Sequence, residues 1–307
     1  MTIQTNGIHH ITAIVQNPQV NLDFYEGFLG LRLVKKTVNF DDPGVYHFYF
    51  GDEYGRPGTI LTFFPIERAM HGRVGMGQVE RTLFSIPKGS AAYWEERLSE
   101  HEVSYNWKGS TLAFNDPEGL ELGLIEEDRE VKDVWENSSV PKEKAIQGFY
   151  GATLHSKAPK ETVHLLTSMG YDVVEETEEH YELKASADLA QYLYIPKHPS
   201  VRGLQGAGTV HHIAFRTEKE ADQQQWQQQL GEQGLRVTPV KDRDYFKSVY
   251  FHEPGGILFE IATDEPGFLI DEELHELGDH LRLPKWLDSH RNEIEAALPT
   301  IVRGKHS

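Results

Sequence analysis

The sequence predicts an α+β fold of four βαβββ modules, arranged as two pairs and followed by a C-terminal helical tail. Two observations support this prediction. The letters HHI occur at residues 9–11 and again at residues 211–213, both times within a run of β-favouring residues. Each run is followed by a helical pattern and then by further strand-like runs, so the chain repeats internally. The repeat gives two histidine pairs equivalent positions in a fold that can bring them together.

Module one shows the repeated order most clearly. Residues 8–15 favour a strand, and Pro18 then opens an apolar spacing that fits a short amphipathic helix, which ends by Gly30. Three strand-like runs follow, separated by turn-rich segments at residues 41–44 and 51–58. These runs are residues 31–40, 45–50 and 59–64.

The same order recurs three more times along the chain. Modules two, three and four are predicted at residues 79–125, 146–195 and 208–263, with helices at 91–101, 159–169 and 218–233. The last three strands of module four are predicted at residues 235–240, 245–252 and 257–262. A charged segment without sustained periodicity separates modules two and three. We therefore expect an N-terminal domain of modules one and two (1–130), a linker (131–145), a C-terminal domain of modules three and four (146–264) and a tail (265–307) with a helix at 286–298.

The composition limits the classes of partner and of metal ligand. The 307 residues include 30 Lys and Arg against 48 Asp and Glu, and the net charge of -18 repels phosphate backbones and anionic lipids. The chain has no cysteine, so any metal must be held by His, Asp, Glu or Tyr. The sequence contains neither a signal-peptide pattern nor the ~20 apolar residues of a membrane span. We expect a cytoplasmic protein that binds neither nucleic acid nor membranes.

Strand alternation selects one histidine from each pair as a candidate metal ligand. Successive side chains of a strand face opposite sides, so both histidines of a pair can enter one cavity only if the strand contains a bulge. Modules one and four share the second histidine, which predicts His10 and His212 as ligands. Thr12 follows on the same face as His10, whereas His9 and His211 are expected on the other face or at the pocket edge.

The third candidate ligand is Glu260, near the end of the last strand of module four. Equivalent positions in modules two and three offer no carboxylate, and alignment of Gly58 with Gly255 places Phe63 of module one opposite Glu260. Two imidazoles and one carboxylate form a facial triad with open positions, typical of non-haem Fe(II) enzymes in which substrate and O₂ bind side by side. A fourth ligand would favour an isomerase, and Mn(II) accepts the same three ligands.

These features resemble the vicinal oxygen chelate superfamily, whose members have a glyoxalase-like fold. They resemble in particular its ring-cleaving, extradiol-type dioxygenases of the hydroquinone class, including bacterial members linked to methylhydroquinone and quinone resistance. The resemblance covers the whole chain and rests on the paired modules, the two HHI segments, and the runs at residues 243–246, 250–256 and 259–260. It implies that His10, His212 and Glu260 hold Fe(II) in one cup formed by modules one and four.

The resemblance also implies roles for five further residues. Tyr250 and Arg243 would be catalytic: the phenol can hydrogen-bond a substrate oxygen and move its proton, and the guanidinium can stabilise an oxygen anion. Thr12, His9 and His211 would bind substrate. The alternative interpretation is that Tyr250 is a barrel-lining aromatic residue and Arg243 a surface ion-pair partner. Four further histidines are expected in solvent or in the core: His47, His155, His164 and His252.

We therefore expect an Fe(II)-dependent dioxygenase that opens hydroquinone- or catechol-type rings with O₂ and detoxifies quinones or related aromatic compounds, as a homo-oligomer. Two alternatives stay open. A metal-dependent isomerase or thiol transferase of the same superfamily would need a fourth ligand near Phe63. A non-enzymatic small-molecule binding protein of the same fold would need no metal triad.

Overall fold

The four predicted modules are present in chain order in the structure, a computed structural model that describes residues 3–304. Module one comprises β1 (Ile8–Val15), α1 (Pro18–Leu22) with a π-helical continuation (Asp23–Phe28), β2 (Arg32–Asn39), β3 (Asp42–Gly51) and β4 (Ile60–Pro65). Module two comprises β5 (Gln78–Pro87), α2 (Ala91–Glu100), β6 (Tyr105–Lys108), β7 (Thr111–Asn115) and β8 (Glu121–Glu127). A short 3-10 turn (Lys142–Lys144) precedes module three.

The second half of the chain repeats this order. Module three comprises β9 (Phe149–His155), α3 (Pro159–Ser168), β10 (Tyr171–Glu176), β11 (His180–Ala185) and β12 (Tyr192–Pro196). Module four comprises β13 (Thr209–Thr217), α4 (Glu220–Glu232), β14 (Lys241–Asp242), β15 (Phe246–His252) and β16 (Leu258–Pro266). The tail contains 3-10 turns (Phe268–Ile270, Leu274–Glu276, Asp288–His290) and α5 (Arg291–Ala297), which is shorter than the predicted helix.

The strands form two eight-stranded sheets, each shared by two modules that are distant in sequence. The first sheet has the order β14-β15-β16-β13-β1-β4-β3-β2 and joins module four to module one. The second has the order β10-β11-β12-β9-β5-β8-β7-β6 and joins module three to module two. The expected α+β fold and the expected association of modules one and four are therefore confirmed. The domain boundaries at 1–130, 131–145, 146–264 and 265–307 stay a prediction, and both sheets contain strands from both sides of the linker.

One predicted strand is wrong. Residues 235–240 form no strand, and only Lys241–Asp242 pairs with β15 in this region. Pro239 has no N–H to donate to a strand ladder. Only one of the two hydrogen bonds between Thr238 and Tyr250 joins backbone to backbone. The Thr238 N–H donates to the Tyr250 carbonyl at 2.9 Å, whereas the Tyr250 N–H donates to the Thr238 hydroxyl at 3.0 Å. The apolar residues of this segment pack against the core without a regular ladder.

Apolar side chains on the sheets and helices account for the core. Every residue of β1 is buried, because the strand lies in the middle of the first sheet. Helix α4 packs on β13, β15 and β16 through Trp226 and Leu230, both of which are fully buried. No helix within residues 3–304 is long and apolar enough to cross a membrane.

A buried ion pair fastens the tail to module one. The Lys35 ammonium on β2 is fully buried and lies 2.6 Å from a carboxylate oxygen of Asp271 and 2.5 Å from one of Glu272. The Glu272 side chain is also fully buried. Further along, Gly278 adopts φ +79°, and a Cβ there would lie 1.9 Å from the Leu33 carbonyl oxygen. The tail therefore passes so close to β2 that any residue other than glycine at position 278 would clash with the Leu33 carbonyl.

Replacement of Lys35 should destabilise the protein strongly. A Lys35→Met variant leaves the buried Glu272 carboxylate with only Arg282, whose Nε lies 3.4 Å away, and this should lower the free energy of unfolding by about 3–5 kcal/mol in urea denaturation. Lys88 is exposed and has no salt bridge with a described residue, so Lys88→Met should change it by less than about 0.5 kcal/mol. Equal losses in the two variants would contradict the role assigned to Lys35.

Candidate metal centre

Three predicted ligands meet at one buried point of the first sheet. His10 on β1, His212 on β13 and Glu260 on β16 each have 5% or less of their surface exposed. The Nε2 atoms of the two histidines lie 3.2 Å apart, and Oε2 of Glu260 lies 2.9 Å from His212 Nε2 and 3.3 Å from His10 Nε2. Ligands bound at right angles at ~2.1 Å from one metal lie ~3.0 Å from each other. The three distances therefore fit a facial triad.

The protonation states of these groups also suit a metal. Burial would raise the pKa of Glu260, but the adjacent His10 and His212 lower it well below its ordinary value. Burial lowers the pKa of His212, against the opposing effect of Glu260. A carboxylate and a neutral imidazole are the forms that bind metal. The Oε2 atom of Glu260 accepts no hydrogen bond of good geometry from any residue in the described range, so it is available as a ligand.

Both histidine pairs lie at bulges in the antiparallel pairing of β1 with β13. The register shifts between Ile8 and His10, which leaves His9 as the extra residue, and again beyond the Thr12–His212 pair, which leaves His211 as the extra residue on β13. A bulge interrupts the regular alternation of side chains. The two histidines of a pair can therefore have contacting rings, as both pairs do.

His9 lies behind His10 and fixes its tautomer. Its Nε2 is 3.1 Å from the Thr263 carbonyl oxygen, which can only accept, so this nitrogen carries the proton. Burial and the adjacent His10 lower the pKa of His9 well below its ordinary value, so its Nδ1 is an acceptor. That Nδ1 lies 2.9 Å from His10 Nδ1, which must donate. His10 consequently has its lone pair on Nε2, the atom that faces Glu260 and His212.

A cavity of about 340 Å³ opens beside the triad. Of the predicted site residues, it brings together His10, His212, His211, Arg243 and Tyr250. Glu260 lies beneath this lining and is fully buried. His9 and Thr12 are not part of the lining, and Thr12 instead contacts the Thr62 hydroxyl at 2.8 Å. Apolar rings complete the wall: Phe40, Phe64 and Phe246.

Tyr250 and Arg243 are joined at the wall of this cavity. Nε of Arg243 donates to the Tyr250 hydroxyl at 3.2 Å, and Nη2 of Arg243 lies 3.2 Å from a carboxylate oxygen of Asp41. The Tyr250 ring lies against the His212 ring, with centroids 5.7 Å apart. Burial, followed by the Glu260 charge, raises the pKa of Tyr250, so its phenol is neutral and can donate a hydrogen bond. Arg243 thus forms the expected surface ion pair and also reaches the site.

The module-one counterpart of Glu260 is Thr62, and the alignment with Phe63 is wrong by one residue. Glu260 pairs with Ala214, two residues after His212, and Thr62 pairs with Thr12, two residues after His10. Phe63 points to the other face, where its ring packs 4.4 Å from the ring of Tyr25. The fourth position of the cup therefore holds a hydroxyl and no carboxylate.

Two polar residues near the triad are absent from the set predicted by sequence. Ser248 donates a hydrogen bond to Oε1 of Glu260, and His47 lines the cavity. Nε2 of His47 lies 2.9 Å from the Thr62 hydroxyl, and Nδ1 lies 2.9 Å from the Tyr49 hydroxyl. The internal repeat relates these two residues to each other. Tyr49 pairs with Thr62 as Tyr250 pairs with Glu260. His47 lies two residues before Tyr49, and Ser248 lies two residues before Tyr250.

Comparison with known proteins agrees with this fold. Residues 7–261 match the family described as the Glyoxalase/Bleomycin resistance protein/Dioxygenase superfamily. The chain is 48% identical over 306 residues to a Bacillus subtilis (strain 168) protein named putative ring-cleaving dioxygenase MhqE, covering 97% of this chain and 100% of the relative. It is 32% identical over 309 residues to a chlorohydroquinone/hydroquinone 1,2-dioxygenase of Sphingobium indicum, covering 95% of each.

Solved structures agree as well. A crystal structure of a putative dioxygenase from Bacillus subtilis subsp. subtilis str. 168 superimposes with a TM-score of 0.95 at 46% identity, covering 98% of each chain. Glyoxalase I from Zea mays shares the fold, with a TM-score of 0.63 at 14% identity, covering 89% of this chain and 97% of that one. The chain therefore belongs to the Glyoxalase/Bleomycin resistance protein/Dioxygenase superfamily, as its resemblance to the vicinal oxygen chelate proteins predicts.

Proposed function

We propose that this protein is an Fe(II)-dependent ring-cleaving dioxygenase that opens hydroquinone- or catechol-type rings with O₂. The observation that carries the proposal is a buried triad of two imidazoles and one carboxylate, with mutual distances of 2.9–3.3 Å, beside a 340 Å³ cavity with aromatic walls. The relatives named as ring-cleaving and chlorohydroquinone/hydroquinone dioxygenases support the reaction class. We place this activity in the cytoplasmic detoxification of quinones or related aromatic compounds, in a homo-oligomer.

His10, His212 and Glu260 would hold the metal. When bound, Fe(II) would supply the redox chemistry that allows O₂ to react with an aromatic ring, and Mn(II) accepts the same ligands. His9 keeps Nε2 of His10 free to coordinate, and Ser248 holds Glu260 through its second oxygen. Such contacts orient metal ligands and typically change metal affinity by about 10- to 100-fold when removed.

The residues of the cavity would bind and orient the ring. The neutral Tyr250 phenol can donate a hydrogen bond to a substrate oxygen and return its proton, and the Arg243 guanidinium can stabilise negative charge on that oxygen. The rings of Phe64 and Phe246 offer apolar faces and keep water away from the aromatic substrate. His211 lines the same wall and is neutral at pH 7, because burial and the adjacent His212 lower its pKa to about 3.

The alternative activities lack a required feature or leave one unexplained. An isomerase or thiol transferase with four metal ligands would need a carboxylate where Thr62 lies, and that hydroxyl is already engaged by Thr12 and His47. A non-enzymatic binding protein would need neither the convergent triad nor the tautomer control that His9 provides. The three-ligand arrangement leaves open positions, which suits a reaction of two substrates.

The activity is tested by oxygen uptake. Purified protein reconstituted anaerobically with Fe(II) should consume O₂ when hydroquinone, methylhydroquinone, catechol or 4-methylcatechol is added, with loss of the aromatic ultraviolet absorption of at least one compound. An oxygen electrode and absorption spectra measure both effects. Absence of O₂ consumption with the whole panel would overturn the proposal.

The ligand set is tested by metal content. His10→Ala, His212→Ala and Glu260→Ala should each lower bound iron by more than about tenfold, as measured by elemental analysis after desalting. His164→Ala is the matched control, because His164 is exposed on α3 and outside the triad. Unchanged iron in all three ligand variants would show that the metal binds elsewhere.

Tyr250 is tested separately from the metal. Tyr250→Phe should retain iron but lower kcat about 10²-fold, because it removes only the hydroxyl that handles the substrate proton. Tyr54→Phe, at a residue 40% exposed and outside the cavity lining, should leave kcat unchanged. A kcat for Tyr250→Phe within twofold of the unmodified protein would assign Tyr250 to the cavity wall alone.

A further inference from the structure

A second pocket lies against the first cavity. We call it the side pocket; its volume is about 160 Å³. It shares Gln205, His211 and His212 with the substrate cavity, so these side chains form a common wall. Gln205 donates to the His211 carbonyl oxygen, which holds the wall together at its outer end. A molecule formed at the triad would thus have this pocket directly behind His211.

The side pocket is cationic in a strongly acidic protein. Lys157 and Arg202 line it, and His252 adds a further nitrogen donor. No carboxylate belongs to its described lining, although the whole chain has a net charge of -18. Neither cation forms a salt bridge with a residue in the range 3–304. The Glu253 carboxylate interacts electrostatically with Lys157. This carboxylate is buried, however, and already accepts hydrogen bonds from the Thr162 hydroxyl and from backbone amides.

Two glycines leave room for the Lys157 side chain. Gly77 and Gly256 adopt φ +89° and +91°, conformations that favour glycine. A Cβ at Gly77 would lie 2.8 Å from the Lys157 ammonium, and one at Gly256 would lie 2.9 Å from it. Gly77 directly precedes β5 and Gly256 lies between β15 and β16, so the Lys157 ammonium lies beside two backbone turns that are distant in sequence. Because Lys157 and Arg202 are exposed, the pocket leads from the buried wall to solvent.

The proposed reaction changes the charge of the substrate. One ring carbon–carbon bond breaks and both atoms of O₂ enter the product, so that the separated carbons become a carboxylic acid and an aldehyde or ketone. O₂ is the only oxidant and the ring is the reductant. The aromatic substrate is uncharged at neutral pH, whereas the acid loses its proton and leaves as a carboxylate. A neighbouring pocket lined by cations therefore suits the product and gives no advantage to the substrate.

We propose that the side pocket binds the carboxylate of the ring-opened product after it has left the triad. The inference rests on the proposed function for the identity of the acid. Lys157 and Arg202 pair with the carboxylate at the exposed end, while the shared wall of His211 and Gln205 separates it from the next aromatic substrate.

The binding site is tested with cis,cis-muconate, an unsaturated dicarboxylate of six carbons. Titration calorimetry on the anaerobic Fe(II)-loaded protein should give a Kd that increases about tenfold in the Lys157→Ala/Arg202→Ala double variant. The matched control is Lys160→Ala/Arg236→Ala, which removes the same charge at exposed positions outside the pocket and should leave the Kd unchanged. The metal-free His10→Ala variant should still bind muconate, because neither His10 nor Glu260 lines the side pocket.

The outcomes separate this inference from the proposed function. An equal Kd in the two double variants, binding lost with the metal in His10→Ala, or no binding at all would overturn the side pocket as the carboxylate site. If muconate binds as expected but no aromatic compound supports O₂ uptake, the pocket is an anion site and its assignment to a ring-opened product is wrong. If the protein consumes O₂ but muconate binding does not depend on Lys157 and Arg202, the dioxygenase proposal stands. Only the assignment of the side pocket as the carboxylate site is then overturned.

Discussion

The antiparallel pairing of β1 with β13 is the interaction on which the candidate site depends. It sets Thr12 opposite His212 and His10 opposite Ala214, so the two histidines lie diagonally across one ladder. The parallel pairing of β13 with β16 then sets Glu260 beside Ala214. Neighbouring strands lie ~4.8 Å apart, so ligands from three consecutive strands converge without any contribution from a loop. Backbone hydrogen bonds between the first and last modules thus determine the geometry of the triad.

The two modules of this sheet have become different halves of one site. In module four, Ser248 holds the carboxylate of Glu260; in module one, His47 occupies the corresponding position and holds Thr62. One half therefore contributes negative charge and the other contributes hydroxyl and imidazole groups. At this position each module holds its own side chain, while Nε2 of His10, Nε2 of His212 and Oε2 of Glu260 meet across the interface. This division keeps the cup polar while leaving coordination positions free.

The module order and the proximity of His10, His212 and Glu260 could be predicted, because strand alternation and the internal repeat can be recognised without knowing which strands pair. The bulges at His9 and His211 could not be predicted, since they arise from pairing between distant strands. For the same reason, counting from a turn glycine selected Phe63, whereas the sheet register selects Thr62. The missed His47 shows a further limit: its equivalence to Ser248 can be recognised only when Tyr49 is known to pair with Thr62, and that pairing follows from the sheet register.

The sheet shared by the first and last modules has a consequence for synthesis on the ribosome. β1 and its partner strands emerge early, yet the edge of β1 that pairs with β13 has no partner until module four has been translated. An open strand edge is a template for wrong pairing between chains. The nascent chain must therefore keep this edge covered while more than half of its length is made, and a chain that stops before β16 cannot assemble the triad.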